Sequence, residues 1–253
     1  MDQTFVREVA LIGEENFQKL QSARVILFGV GGVGSYAAEA LVRAGIGSLT
    51  LVDGDAVSES NLNRQLIALR STLGKNKAET MAERAADIAP GCKTAAVPVF
   101  YGPETEQLFD FSKYDYVADC IDDVKAKISL IVRARMAGVP VISCMGAGNK
   151  LDGGAFRVAK IEKTRECPLA RLVRRELKKA GVTGVKAVYS EEPPRTPDRR
   201  GAAEGERLIG SISFVPSAAG LLLAGEIVKD IAFGNRHEMP AADACAGIGG
   251  SEK

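Results

Sequence analysis

Gly29, Gly31 and Gly34 stand in the run GVGGVG, directly after the apolar segment RVILF and at the opening of a helical stretch. That spacing suits a phosphate cradle. Glycine lets the backbone approach a phosphate closely, and the helix start supplies free N–H groups with the positive end of the helix dipole. Gly32 completes the same turn. A second apolar segment, SLTLVD, ends in Asp53, 19 residues beyond Gly34, where a carboxylate can accept ribose hydroxyls. To this point the residues describe a dinucleotide-binding oxidoreductase equally well.

The residues after Asp53 depart from that chemistry. DGDAVSESNLNRQ places Asp55, Asn61, Asn63, Arg64 and Gln65 just past the carboxyl end of a strand, where open α/β sheets bind ligands. Hydride transfer has no use for an arginine there. Gly74, Lys75 and Lys77 then open another helix, although cations at that end oppose the dipole by about 0.3–1 kcal/mol each. The mismatch suggests a phosphate partner, with ordinary solvated lysines at a helix start as the alternative. The segment YDYVADCI leads to Asp119, Asp122 and Asp123. A carboxylate facing a phosphate cradle is a plausible Mg²⁺ ligand, because Mg²⁺ takes one or two carboxylates together with phosphate oxygens. Asp123 has a second reading, as the cap of the helix that follows.

These residues need elements to hold them. Short apolar runs at about 24–30, 48–53, 93–99, 114–121 and 139–145 alternate with helical stretches at about 33–45, 75–89 and 123–138. The alternation predicts βαβ units in a doubly wound, Rossmann-like α/β fold with a mainly parallel sheet, extended by C-terminal strands. In the second of those helices Ala78, Met81, Ala82, Ala85 and Ala89 form the packed stripe, and Lys75, Lys77, Glu79, Glu83 and Arg84 fall outside it. Beyond residue 146 the pattern predicts a strand near 155–161 and a helix over 168–180 that opens on Pro168. Residues 190–210 then form a mobile crossover loop, and the last apolar helix covers 214–233. The expected organisation is one domain over 1–233, with a nucleotide-binding core to 150, an extension from 151 to 233, and a frayed tail over 234–253.

Composition narrows the classes. A chain of 253 residues with 33 Lys+Arg against 32 Asp+Glu, net +1, is no uniformly basic nucleic-acid binder. The charge is uneven: residues 165–200 hold ten Lys or Arg against five acids. A solvated helix face beside a charged loop is the simplest account of such a run. The five cysteines form no CxxC pair, and the one histidine, His237, completes no zinc set with them. No leader segment is visible, and the longest apolar stretch, 214–225, falls short of the roughly 18 residues of a membrane span. A cytoplasmic chain is expected.

GVGGVG, LVDGD, SNLNRQ, GKNKAE and DCIDD, in this order, resemble the adenylating domain of the ThiF, MoeB and HesA superfamily, relatives of the ubiquitin-activating enzymes. SCMGAGNKLD, CPLARLVRRELKKAG, KAVYSEE and FVPSAAGLLLAGEIVKD resemble, more narrowly, its tRNA threonylcarbamoyladenosine dehydratase branch. Many members of that branch carry a cysteine-rich loop. Residues 190–213 here contain no cysteine, which weighs against a metal or sulfur role for the loop.

The resemblance implies ATP-dependent activation of a carboxylate as an acyl-adenylate, with ATP and Mg²⁺ as cofactors. It implies that Gly29, Gly31, Gly32 and Gly34 cradle the phosphates, with Asp53 and Asp55 beside the nucleotide. Asn61 would orient the α-phosphate, Arg64 and Lys77 would neutralise its developing charge, and Asp122 would hold Mg²⁺. Arg7 matches the position from which an arginine reaches the partner subunit's ATP, so a homodimer with Arg7 acting in trans is implied. In the dehydratase branch the adenylated threonyl carboxylate is attacked from within its own side chain, and no enzyme nucleophile is needed. Cys167 accordingly reads as a small residue at a helix start, and Cys92, Cys120 and Cys144 as core. A tRNA substrate gives the basic segment a use, with Arg171, Arg174, Arg175, Lys178 and Lys179 flanking the apolar stripe Leu169, Leu172, Val173 and Leu177. Two alternatives remain open: adenylation of a ubiquitin-like sulfur carrier's C-terminal glycine, and an NAD-dependent oxidoreductase or nucleotide sensor. A sulfur-transfer protein is a further candidate partner.

Overall fold

The computed structural model describes residues 3–198 and 209–234. Seven strands form one sheet: β1 (Arg24–Phe28), β2 (Ser48–Val52), β3 (Lys93–Val97), β4 (Tyr116–Asp119), β5 (Val141–Cys144), β6 (Phe156–Lys160) and β7 (Lys186–Ser190). They run in the order β3-β2-β1-β4-β5-β7-β6. All neighbours pair in parallel except β6, which lies antiparallel on β7. Because the chain winds outward from β1 in one direction and from β4 in the other, the order reverses between those two strands, and a crevice opens at their carboxyl ends.

Each central strand is buried on both faces, as its continuous apolar run requires. Val25 and Leu27 project into one core, and Ile26 and Phe28 into the other. The first core is covered by α1 (Val6–Ile12), α2 (Glu14–Ser22), α3 (Gly34–Arg43), α4 (Lys77–Ile88) and α7 (Phe214–Phe233). The second is covered by α5 (Val124–Met136) and α6 (Pro168–Lys179), with Phe28, Tyr101 and Phe109 packed edge to face or tilted at ring centroids of 5.1–5.6 Å. Helix α7 crosses α3 at Gly220, where any side chain would overlap the Val33 carbonyl. Pro216, one turn earlier, lies against Gly32. The last helix therefore buttresses the glycine turn.

The expected elements are present, and α7 has the expected bounds. The expected C-terminal extension of the sheet includes one strand whose bounds the sequence does not mark. β7, KAVYS, is only five residues long, begins with a lysine and follows Gly184, so its sequence carries too little periodicity to mark it. Yet it is an interior strand, between β5 and β6. Lys186 at its start is neutralised by Asp230 at 2.6 Å and Glu226 at 3.4 Å, both on α7, and Tyr116 donates to the same Asp230 at 2.6 Å. No helix of the described residues is long and apolar enough to cross a membrane. His237, Cys245, Arg199 and Arg200, the middle of the expected crossover loop and the expected frayed tail lie outside the described residues.

Candidate active site

The glycine turn is dictated by close approach. Gly29 has φ +86°, and a Cβ there would sit 2.8 Å from the Cys120 carbonyl oxygen, while one on Gly34 would overlap the Gly29 carbonyl. Those two glycines lock β1, α3 and the end of β4 together. Gly31 differs: a Cβ there would meet only the Gln65 side-chain amide, at 3.8 Å, so this face of the turn is open. Gln65 is buried, and its Oε1 has no hydrogen-bond partner. A buried orphan acceptor beside the cradle is what a site shaped for a further donor-bearing group displays.

Asp53 ties this turn to the loop after β2. One carboxylate oxygen accepts from Val30 N–H at 2.6 Å and the other from Asp55 N–H at 2.8 Å. Burial nevertheless pushes its pKa above the usual carboxylate value, with the two backbone donors opposing. Gly54 has no room for a side chain because Phe100, 65% exposed on the segment after β3, lies against it. Phe100 thus presents an aromatic face beside Asp53. Sequence reasoning passed over it, since a lone Phe beyond a strand carries no spacing signal.

Lys77 requires a correction. It lies not on the solvated side of α4 but in the buried set, with Nζ 2.7 Å from Asp55 Oδ2. Its cationic placement at the helix start is met by that carboxylate, within the chain. Asn76 caps α4 through Glu79 N–H and donates to the Asp53 and Asp55 carbonyls, both at 3.1 Å. Lys75 precedes the helix. Asn61 is buried and uses its Oδ1 on Ser58 N–H at 3.1 Å, capping the short turn that presents Arg64. Arg64 is half-buried, with one guanidinium nitrogen on the Ser60 carbonyl (2.7 Å) and Asn63 Oδ1 (3.0 Å). Among the described residues it has no carboxylate partner.

At the end of β4 the three aspartates separate. Asp119 is fully buried and paired with Lys127 at 2.7 Å, so it is no open metal ligand. Asp123 caps α5 through Ala126 N–H at 2.8 Å, its second expected reading. Asp122 is exposed, like Asp123, but caps no helix. Among the described residues no three His, Cys, Asp or Glu side chains group as a metal cage. A single exposed carboxylate beside a phosphate cradle nonetheless fits Mg²⁺, which keeps waters and phosphate oxygens as its other ligands.

The turn after β5 holds both ends of the crossover loop. Asn149, at φ +59°, bonds Gly210 through its N–H and Oδ1, and its carbonyl accepts from Arg195 N–H at 2.7 Å. The Glu192 carboxylate accepts from Leu151 and Asp152 N–H at 2.9–3.0 Å. Lys150, buried, donates to the Glu192 carbonyl, and burial lowers its ammonium pKa. So the described ends of the expected mobile loop are docked. The Asp152 N–H first, then the Leu151 N–H, hold the Glu192 carboxyl below its usual pKa. A depressed folded-state pKa stabilises above the unfolded value, about 4.3, and that contribution disappears as pH falls through the folded value. Amide-exchange protection at Leu151 and Asp152, relative to the intrinsic rate at each pH, should therefore fall on acidification below about pH 4, converging on the protection in Glu192→Gln, which should already be low at neutral pH. Equal wild-type and variant rates at pH 7 would dismiss the clamp.

Cys167 stands at the N-cap position of α6 without a side-chain capping bond and is 4% exposed, with its sulfur 3.9 Å from where a Gly146 Cβ would lie. Cys92 and Cys144 are buried and Cys120 half-buried, as expected. Burial drives the Cys144 thiol up to about 12 and the Cys120 thiol well above its usual value.

The ThiF family model matches residues 5–243. The chain belongs to the ThiF family. The tRNA threonylcarbamoyladenosine dehydratase of Bacillus subtilis is 43% identical over 239 residues, covering 90% of this chain and 94% of that protein. A crystal structure of the Escherichia coli tRNA N6-threonylcarbamoyladenosine dehydratase in complex with AMP matches at TM-score 0.82 and 36% identity, covering 90% of this chain and 94% of that one. The same enzyme in complex with ATP matches at TM-score 0.81 and 35% identity, with 90% and 93% covered.

Two groups of expected ThiF residues lie away from the crevice. Arg7 is exposed on α1. Phe5, two residues earlier, packs on Phe17 at 5.1 Å and against Gly45, just past the far end of α3, which carries the chain about 15 Å from the glycine turn. The basic helix α6 buries Ala170, Val173 and Leu177, whereas Leu169 and Leu172, expected in the stripe, are only half-buried. Arg171, Arg174, Arg175 and Lys178 line a groove of about 560 Å³ with Ile161 and Val182. They are not equally free: Arg174 holds the Thr164 carbonyl at 2.7 Å, and Arg175 and Lys179 pair with Glu176 at 2.8 and 3.0 Å.

Proposed function

We propose that this ThiF-family protein uses ATP to adenylate the carboxylate of threonylcarbamoyladenosine in tRNA and then lets the modified side chain close into a ring. A carboxylate oxygen attacks the α-phosphorus and pyrophosphate leaves. An atom of the same side chain then attacks the activated acyl carbon and AMP leaves, so that water is lost overall at the cost of one ATP. The observation that carries the first step is the glycine cradle at the strand-order switch, with Arg64 beside it and free of any carboxylate among the described residues. The cradle's N–H groups and Arg64 stabilise charge that builds on the phosphates, the kind of preorganised electrostatics that dominates such transfers. Asp122 would hold Mg²⁺, which when bound neutralises phosphate charge. Lys77 holds the Asp55 carboxylate at the edge of the site, and Phe100 offers a stacking face for the base. The similarity to dehydratases over nearly the whole chain supports the second step.

Ring closure within the substrate needs no thiol, because an intramolecular attack can supply an effective concentration of about 10⁵ M or more. The buried Cys167 and Cys144 and the half-buried Cys120 agree with that. The groove on α6 is the proposed tRNA contact. Incubation with bulk tRNA, ATP and Mg²⁺, followed by nucleoside mass analysis, should show the dehydrated nucleoside. Cys167→Ser should retain turnover within a few-fold of wild type. Charge reversal at Arg171, Arg175 and Lys178, which spares the structural Arg174, should weaken tRNA binding and reduce its salt slope by about 0.7–0.9 per lost phosphate contact. ATP affinity should be unchanged. An indispensable Cys167 with an irrelevant α6 would instead favour a ubiquitin-like carrier as the substrate.

A further inference from the structure

Lys127 is fully buried, although its neighbours in VKAKISL give no hint of it. Its Nζ meets three acceptors, Asp119 Oδ2 at 2.7 Å, the Cys144 carbonyl at 3.0 Å and Ser143 Oγ at 3.3 Å, which satisfies all three ammonium donors. Ser143 also donates to Asp119 Oδ2 at 2.5 Å, and the other oxygen of Asp119 accepts from Ile121 N–H at 3.1 Å. A buried ion pair is a weak source of stability, because desolvation offsets most of the attraction. What this network does is fix geometry.

The turn it fixes runs from residue 120 to 123. Cys120 N–H donates to the Phe28 carbonyl at 2.8 Å, and the Cys120 carbonyl packs on Gly29 at the mouth of the cradle. Ile121 is tied to Asp119, and Asp123 is tied to α5 as its cap. Asp122 is the one residue of the turn whose side chain these anchors leave open, and Lys127 lies one turn into α5, its N–H on the Asp123 carbonyl at 3.0 Å. We propose that Lys127 and Asp119 are positioning residues that set the Asp122 carboxylate against the phosphate cradle and so govern the affinity of the nucleotide site for Mg²⁺. This rests on the reading of Asp122 as the metal-holding residue. Neither side chain touches the nucleotide in this arrangement; each acts through the turn.

The test uses Lys127→Met, the neutral pair Lys127→Met/Asp119→Asn, and Asp122→Ala as comparator. Calorimetry with a non-hydrolysable ATP analogue, with and without Mg²⁺, gives a readout independent of turnover. The Mg²⁺ half-saturation of ATP–pyrophosphate exchange gives a second. Lys127→Met should leave metal-free nucleotide affinity within about twofold and raise the Mg²⁺ requirement about 10–100-fold, the range typical of residues that orient metal ligands. If Lys127→Met fails to fold, the neutral pair leaves no uncompensated buried charge and carries the measurement. A lower melting temperature with an unchanged Mg²⁺ requirement in the folded variants would overturn the proposal, since that is all a structural ion pair would do. An unchanged Mg²⁺ requirement in Asp122→Ala would refute the assignment of Asp122 itself, and the positioning role with it. The two failures are thereby told apart.

Discussion

Arg64→Ala and Asp122→Ala are each expected to lower ATP–pyrophosphate exchange by about 10²–10³-fold, the cost of deleting one preorganised group aimed at developing charge. Both should leave the fold intact. Arg64 is half-buried, its guanidinium bonded among the described residues to the Ser60 carbonyl and the Asn63 side chain, and stands on a turn that Asn61 caps independently of it. Asp122 is exposed and serves no helix cap, that task falling to Asp123. Thermal unfolding within a degree or two of wild type, measured on the same samples, would separate lost chemistry from lost structure. Lys77 is a poorer probe of the same idea. Its ammonium is buried against the exposed Asp55 and its N–H bonds the Asp55 carbonyl, so truncation disturbs the packing at the start of α4 as well as the site. Wild-type exchange in both Arg64→Ala and Asp122→Ala would remove these residues from the site.

The contrast between Arg64 and Lys77 also marks what could be read from the chain alone. Spacing was enough to place the glycine turn, Asp53 and the loop carrying Arg64 at one crevice, because each follows an apolar run whose periodicity fixes its strand. The glycines that must be glycine, Gly29 and Gly34, are the ones where backbone meets backbone. Burial of charge was not legible. Lys77 and Lys127 sit in helices whose pattern assigns lysine to solvent, and only the three-dimensional arrangement of Asp55, Asp119 and Ser143 makes their burial tolerable. β7 was hidden for a related reason: its first residue, Lys186, is paid for by Asp230 on a helix more than forty residues later in the chain. On α6 the pattern located the cations but could not show that Arg174 is committed to Thr164.

Arg7→Ala should be as damaging as Arg64→Ala, about 10³-fold if it acts as arginines supplied in trans do, although it lies outside the crevice of its own chain. The structure leaves its guanidinium exposed and without an ion pair among the described residues, on a helix anchored by Phe5 at the opposite end of α3 from the glycine turn. An arginine so placed serves a symmetric partner more readily than its own nucleotide. In a twofold dimer each site would combine Arg64 from one protomer with Arg7 from the other. Mixing inactive Arg7→Ala with inactive Arg64→Ala in equal amounts should then restore about a quarter of wild-type turnover, since half the dimers are mixed and each mixed dimer rebuilds one of its two sites. Sedimentation should show a dimer, and subunit exchange should be verified with differently tagged protomers. Absence of recovery despite demonstrated exchange would place Arg7 outside the reaction, and a monomer at working concentration would exclude the shared site altogether.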